Sequence, residues 1–222
     1  MTRPCVPVRL VVFAKEPIPG IVKTRLIPVL GADGAASLAR LMLSQTLQAA
    51  NKATIALSSH AQIELCAAPD PRHHDWQRVD LPVNCELSEQ IQGDLGARMA
   101  HAFKQAMAQG EDVLLFGTDA PQLDAERLIL AAQALRSHDA VLQPVTDGGY
   151  VLLGLKSKLR QRMHALFEDM PWSTDVVAAL TARRLSAIGA SFRLLPPIHD
   201  IDVPDDLIHL PPHWPCPERI SG

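Results

Sequence analysis

Four groups of residues in this chain have side chains and spacing suited to an oxygen-rich anion. They are the cations Lys15, Lys23 and Arg25 after the apolar run at 9–14, Asp119 just past the apolar run at 113–116, the turn Asp147-Gly148-Gly149, and the late pair Asp200 and Asp202. Arg forks onto phosphate oxygens and Lys adds a point charge. Hard divalent cations take carboxylate and phosphate oxygens, and need only one or two protein carboxylates when phosphates complete the shell. Together the groups suit a Mg²⁺ or Mn²⁺ diphosphate site, with Asp119 and Asp202 as the two carboxylates and Asp200 as a further candidate. Singly, each has a plainer use. Asp119 fits a turn, the three cations fit a solvated basic loop, and Asp-Gly-Gly between apolar runs fits a hairpin. Alternation places Asp200 and Asp202 on one side of an extended segment, where they repel unless a cation lies between them.

A second anion candidate is Gly93, Asp94 and Arg98 at the start of a helix, because helix amino ends present unpaired N–H groups and glycine permits close approach. Asp94 serves equally well as an N-terminal cap. His73 and His74 are adjacent, so their rings point apart, and no third ligand stands at helical spacing to them; metal binding there is the weaker reading.

The elements that must position these residues alternate. Runs at 9–14, 63–67, 113–116, 140–145, 150–155 and 192–195 read as strands, several of them continuously apolar as in buried parallel sheets. Helical periodicity appears at 35–50, 97–108, 124–137, 159–167 and 175–188, the last capped by Ser173 or Thr174 and closed by Gly189. Residues 53–59 fit a helix extension or a strand, and 70–87 a variable loop or weak edge strand. Pro17, Pro19 and Gly20 make the loop after the first strand stiff and irregular. Neither a Walker nor a dinucleotide-binding glycine pattern follows that strand. In an open α/β sheet, ligands bind at the carboxyl ends of the strands, where Lys15 and Asp119 both fall.

With 222 residues, 47% hydrophobic and 20% charged, the chain suits one α/β domain over residues 1–222, its core spanning about 8–210 before a Pro-rich tail at 211–222. A net charge of −3 supplies no basic field, which argues against nucleic acid as a partner. Cys5, Cys66, Cys85 and Cys216 are scattered without zinc-type spacing, and no uninterrupted apolar stretch approaches about 20 residues, so the expectation is a cytoplasmic protein without a membrane span. The oligomeric state stays open.

Six ordered blocks then carry a resemblance: FAKEPIPGIVKTRL, QGDLGARM, FGTDAPQL, TDGGYVLLGL, PWST and HDIDVPDDL. The chain resembles the bacterial glycosyltransferase-like proteins of the nucleotide-diphospho-sugar transferase superfamily. That resemblance implies a three-layer α/β/α sandwich with a mostly parallel sheet, the Rossmann-like GT-A fold. It also implies that Lys15, Lys23 and Arg25, with Thr118, hold nucleotide phosphates, and that Asp119 binds metal at the superfamily's Asp-x-Asp element. The same blocks make Gly148, Gly149, Tyr150, Trp172 and Ser173 acceptor-side candidates. This chain has Gly117-Thr118-Asp119 at the Asp-x-Asp position, so the first carboxylate is missing. In that it is similar to nucleotidyltransferases of the superfamily, which pair one Asp with a late Asp or Asn, here Asp202. Val203 and Asp205 replace the usual Thr and Glu.

The first expectation is glycosyl transfer from a nucleotide-diphosphate sugar with Mg²⁺ or Mn²⁺, Asp147 serving as general base and Asp175 as its alternative. The second is nucleotidyl transfer onto a small phosphorylated or carboxylated molecule. The third is a nucleotide-binding relative without turnover.

Overall fold

A computed structural model describes residues 6–57, 61–72, 76 and 79–214. His73, His74, the end of the ambiguous segment at 58–59 and the tail beyond 214 lie outside the described residues. Among the described residues, seven strands form one sheet: β1 Val8–Lys15, β2 Ala61–Ala68, β3 Cys85–Glu89, β4 Asp112–Phe116, β5 Ala140–Pro144, β6 Tyr150–Leu155 and β7 Phe192–Leu194. Their spatial order is β3-β2-β1-β4-β6-β5-β7. β6 alone runs against its neighbours β4 and β5; the other pairings are parallel.

The helices α1 Ile27–Leu57, α2 Leu95–Ala108, α3 Ala125–Ser137 and α4 Val177–Ala187 cover both faces. Strand side chains alternate between the two sides. Leu10, Val12 and Ala14 pack with Leu43 and Leu47 of α1 and Leu128 and Leu135 of α3. Val11 turns the other way, into a cluster with Met99 and Phe103 of α2 and Leu185 of α4. This is the expected three-layer sandwich, and its apolar strand runs are apolar because both faces are covered.

The chain leaves β1 for strands on one side and returns through β4 on the other, so the strand order reverses between β1 and β4. Lys15 and the Gly117-Thr118-Asp119 segment therefore flank the crevice where such sheets bind ligands. Because β6 is antiparallel, its start brings Asp147 to Tyr150 to the same edge.

Several elements differ from their sequence reading. The helix expected at 35–50 runs from Ile27 to Leu57, broken only at Gly31 (φ 69°), which also resolves the described part of the 53–59 ambiguity as helix. Its length and composition would suit a membrane span, yet Leu38, Met42, Leu43, Leu47 and Ala50 are buried in the protein core. The helix expected at 159–167 is two 3-10 turns, Ser157–Leu159 and Met163–Leu166. At the end of the second turn the Arg184 guanidinium donates to the carbonyls of Ala165, Leu166 and Glu168, so these are tied to α4 rather than to a further helical turn. α4 starts at Val177 without a side-chain cap: Thr174 Oγ1 donates to Pro171 O, and Ala178 N finds Gly148 O at 2.9 Å.

At the opposite edge of the sheet Arg9 is 1% exposed. Its Nε meets Glu111 Oε2 at 2.5 Å, and its Nη atoms reach Glu64, Glu86 and Gln62. Burial opposes this charge, but the Glu111 and Glu86 hydrogen bonds outweigh it and hold the guanidinium above its ordinary value.

Candidate nucleotide-phosphate and metal site

A cavity of about 710 Å³ opens at the carboxyl edge of the sheet. Its lining includes Lys15, Lys23, Arg25, Arg98, Thr118, Asp119, Asp147, Gly149, Tyr150, Trp172, Ser173, Asp175, Asp200 and Asp202. The volume falls within the range of pockets that enclose small-molecule ligands. The fold thus brings together residues separated by almost 190 positions in sequence.

The loop after β1 is built by its breakers. Glu16 N bonds Ala68 O of the neighbouring strand, Ile21 N bonds Ile18 O, and Gly20 takes φ 79°. Lys23 follows in a left-handed conformation (φ 48°) and opens a 3-10 turn that feeds α1. Its ammonium is turned inward: Nζ lies 2.6 Å from Asp119 Oδ1, 2.6 Å from Ile201 O and 3.9 Å from Asp202 Oδ1. Arg25 Nη1 meets Asp202 Oδ2 at 2.7 Å.

The last segment is pinned beside β4 by a single main-chain bond, Ile201 N to Asp119 O at 2.8 Å. Ile201 is wholly buried with Leu26, Leu30, Leu38 and Met42. An apolar anchor thus stands between Asp200 and Asp202 and fixes both carboxylates at the cavity. Asp206 accepts from the backbone N–H of Asp202 and Val203 at 2.8 Å each, stiffening the turn that follows. The repulsion anticipated for this pair is met unequally. Lys23 and Arg25 attend Asp202, while Asp200 is pushed up to about 6, first by burial and then by Asp147, Asp206 and Asp119.

Two of the three cations assigned to phosphate are therefore engaged with carboxylates. Lys15 and Arg98 line the same cavity with no ion pair among the described residues. Arg98 is oriented by Gln90, whose Oε1 accepts from its Nη1 at 3.1 Å. Gln90 is buried, and its amide donates to Ala14 O and Cys66 O at 2.9 and 3.0 Å, tying β1 and β2 to the wall of the site. It escaped the sequence reading because a lone Gln after a polar edge strand carries no spacing signal; its position two residues before Gln92-Gly93-Asp94 was the available clue.

Asp94 and Gly93 do not line the cavity. Asp94 is the N-terminal cap of α2, its Oδ1 accepting from Ala97 N at 2.7 Å. Gly148 likewise stands behind the cavity, with the Asp175 backbone in the space a side chain would need. Asp147 Oδ1 accepts from Gly149 N at 2.8 Å, which forms the turn and leaves the carboxylate exposed at the rim. Burial raises the Tyr150 hydroxyl well above its ordinary range, so it stays protonated beside Met99 Sδ at 3.9 Å. Trp172 packs on the α2 backbone at Gly96, whose Cβ would lie 3.1 Å from the indole. The absence of a side chain at Gly96 is what lets the aromatic wall close on the helix.

Asp119, Asp202 and the Ile201 carbonyl form a set of hard oxygen donors of the kind Mg²⁺ or Mn²⁺ accepts. The inward-turned Lys23 ammonium shows that the space between them accommodates a positive charge. The donor set fits a metal held by one or two carboxylates and completed by phosphate.

Fold and site together define a protein of the nucleotide-diphospho-sugar transferase class of α/β architectures. The chain belongs to a family of uncharacterised proteins conserved in bacteria, DUF2064, whose model matches residues 42–174. A candidate nucleotide-diphospho-sugar transferase from Desulfovibrio desulfuricans G20 is 30% identical, with 88% of this chain and 82% of that one covered and a TM-score of 0.78. Two more distant structures share the fold. CMP:2-keto-3-deoxy-manno-octonic acid synthetase complexed with CTP is 12% identical, covering 92% of this chain and 96% of that one at a TM-score of 0.55. Rv0371c of Mycobacterium tuberculosis H37Rv complexed with manganese is 16% identical, covering 92% and 97% at a TM-score of 0.53. No curated protein matches the chain.

Proposed function

We propose that this protein is a metal-dependent transferase that takes a nucleotide-diphosphate sugar and passes the sugar to an acceptor at the Asp147 side of the cavity. The observation that carries the reading is the convergence of Asp119 and Asp202 on one cation at the carboxyl edge of the sheet, beside Lys15 and Arg98, which no carboxylate engages among the described residues. Asp119 and Asp202 would hold Mg²⁺ or Mn²⁺, with Asp200 adjacent. The metal, when bound, supplies Lewis-acid stabilisation of charge on the departing diphosphate. Lys15 and Arg98 bind that diphosphate and orient it, Thr118 offers a hydroxyl at the strand end, and Gly149 leaves the acceptor side unobstructed. Asp147 holds the acceptor proton at its exposed carboxylate, with Asp175 across the turn as the alternative base. Trp172, Tyr150 and Ser173 wall the acceptor space and exclude water. The cytoplasmic location expected from the scattered cysteines belongs to the same proposal.

Nucleotidyl transfer is the second reading, favoured by one observation: the strand-end element is Gly117-Thr118-Asp119, with a single carboxylate. The products separate the two, because a nucleoside diphosphate appears in glycosyl transfer and pyrophosphate in nucleotidyl transfer. The shared site is tested by thermal shift against nucleotides with and without Mn²⁺. A ligand at about 100 times its dissociation constant stabilises by about 2.7 kcal/mol. A metal-dependent shift with a nucleoside diphosphate or its sugar is expected, lost in Asp119→Ala; an equal shift in that variant would remove Asp119 from the metal role.

A further inference from the structure

We infer that the Lys23 ammonium sits where the divalent cation binds, so that lysine and metal exclude one another and metal entry turns Lys23 out of the carboxylate pair. This rests on the metal role proposed for Asp119 and on neither transfer reaction.

The geometry is that of an internal cation in a cation's place. Nζ is 2.6 Å from Asp119 Oδ1 and 2.6 Å from the Ile201 carbonyl, with Asp202 Oδ1 at 3.9 Å. These are the hard oxygens that Mg²⁺ or Mn²⁺ would use. The Lys23 side chain is only 7% exposed, whereas Asp119 and Asp202 are 55% and 47% exposed. The lysine thus approaches from the protein side and leaves the outer faces of both carboxylates open to solvent. A metal entering from solvent meets two usable carboxylates with a positive charge already between them, and like charges at contact distance in a partly desolvated site repel strongly. Arg25 need not move, because it engages the other Asp202 oxygen, Oδ2, at 2.7 Å.

The arrangement gives Lys23 two positions on a flexible four-carbon stem. With no metal it neutralises Asp119 and keeps the Ile201 segment docked on β4. With metal bound, its ammonium is freed into the cavity that Lys15 and Arg98 line, where a diphosphate would receive it. Metal binding would then create part of the phosphate site, ordering the two events.

The test uses Mn²⁺ alone, followed through the electron paramagnetic resonance signal of the free ion. Lys23→Met and Lys23→Gln are expected to bind Mn²⁺ at least about tenfold more tightly than wild type, since the competing charge is gone. Adding Asp119→Asn to Lys23→Met should abolish the gain. Equal affinity in wild type and both Lys23 variants would overturn the inference, as would tight binding that survives Asp119→Asn. A second measurement needs no variant: amine acylation of the wild-type protein, read by mass spectrometry, should speed up several-fold at Lys23 as Mg²⁺ is added. The exposed Lys52 serves as the unchanged reference. A flat Lys23 rate would overturn the exchange. No nucleotide is present in either experiment, so failure of nucleotide binding in the thermal-shift test leaves both readouts intact.

Discussion

Gly148→Ala is the substitution for which the structure makes the sharpest demand. A Cβ at this position would stand 2.0 Å from Asp175 O and 2.5 Å from both Asp175 C and Cα, and φ is +91°. Ordinary nonbonded separations are about 3.5 Å or more, so one backbone must move by about 1.5 Å. Left-handed strain on a residue with a Cβ adds about 1–2 kcal/mol, and overpacking against main chain about 1–3 kcal/mol. A loss of about 3 kcal/mol corresponds to about 6–12 °C in melting temperature for a chain of this size. The displaced backbone is not idle. Gly148 O accepts from Ala178 N at 2.9 Å, so the turn carrying Asp147 and the lead-in to α4 carrying Trp172 to Asp175 move together. Urea unfolding measures the stability, and the Mn²⁺-dependent nucleotide shift reads the site. Gly149→Ala is the comparison: its nearest neighbours are side-chain atoms at 3.1 and 3.5 Å, which can yield. A Gly148→Ala protein within about 0.5 kcal/mol of wild type, or no less stable than Gly149→Ala, would refute the close approach of these two segments.

Two further perturbations probe the frame beneath the site. Arg9→Met removes the buried cation from among Glu64, Glu86 and Glu111, and breaking such a network typically costs about 3–5 kcal/mol; a loss under about 1 kcal/mol in urea unfolding would show that water already reaches those carboxylates. Asp112 is held above the ordinary carboxylate range by burial, partly offset by the Ser157 N–H at 2.9 Å and by Lys156 and Lys158. Between the ordinary value and the raised native one, the native state therefore keeps a proton that the unfolded chain has released. The stability this contributes is present at low pH and is lost as pH rises through the raised native value. Asp112→Asn keeps the acceptor for Ser157 and should gain on wild type as pH climbs from about 3 to 7; a stability difference that stays constant over that range would contradict the assignment.

Much of the frame was legible because it depends on local pattern. Continuous apolar runs marked β1, β4, β5 and β6, since a strand covered on both faces can carry little else. Asp124 and Asp94 could be read as helix starts because capping is a local hydrogen-bonding event, and both side chains accept from the third residue onward at 2.9 and 2.7 Å. The failures are equally specific. The segment at 159–167 has helical spacing but forms two 3-10 turns, and Arg184, some 20 residues later, takes the carbonyls at the end of the second. Ser173 or Thr174 suited a cap, but α4 begins only at Val177, Thr174 Oγ1 donates to Pro171 O instead, and the first-turn Ala178 N bonds Gly148 O, which no local rule connects to α4. Gly31 lies ahead of the stretch of helical spacing at 35–50 yet is a kink inside α1, and Leu30 and Leu38 on either side of it share one buried cluster.

The sequence by itself determined which residue types stand at strand ends: Lys15, Asp119 and Asp147 each follow or precede a strand marked by its apolar run. Charge sign, turn chemistry and the absence of a second carboxylate at 117 were all local facts. Only the tertiary structure decided how the charges pair. Lys23 and Arg25 stood in the sequence as phosphate ligands, yet the bond from Ile201 N to Asp119 O and the burial of Ile201 draw Asp202 against them, across a separation of almost 180 residues. Pairing energy depends on distance and on desolvation, and both are properties of the folded chain. Four cations and five carboxylates in one cavity can be counted from the sequence; which of them remain free to hold a ligand is set by the packing.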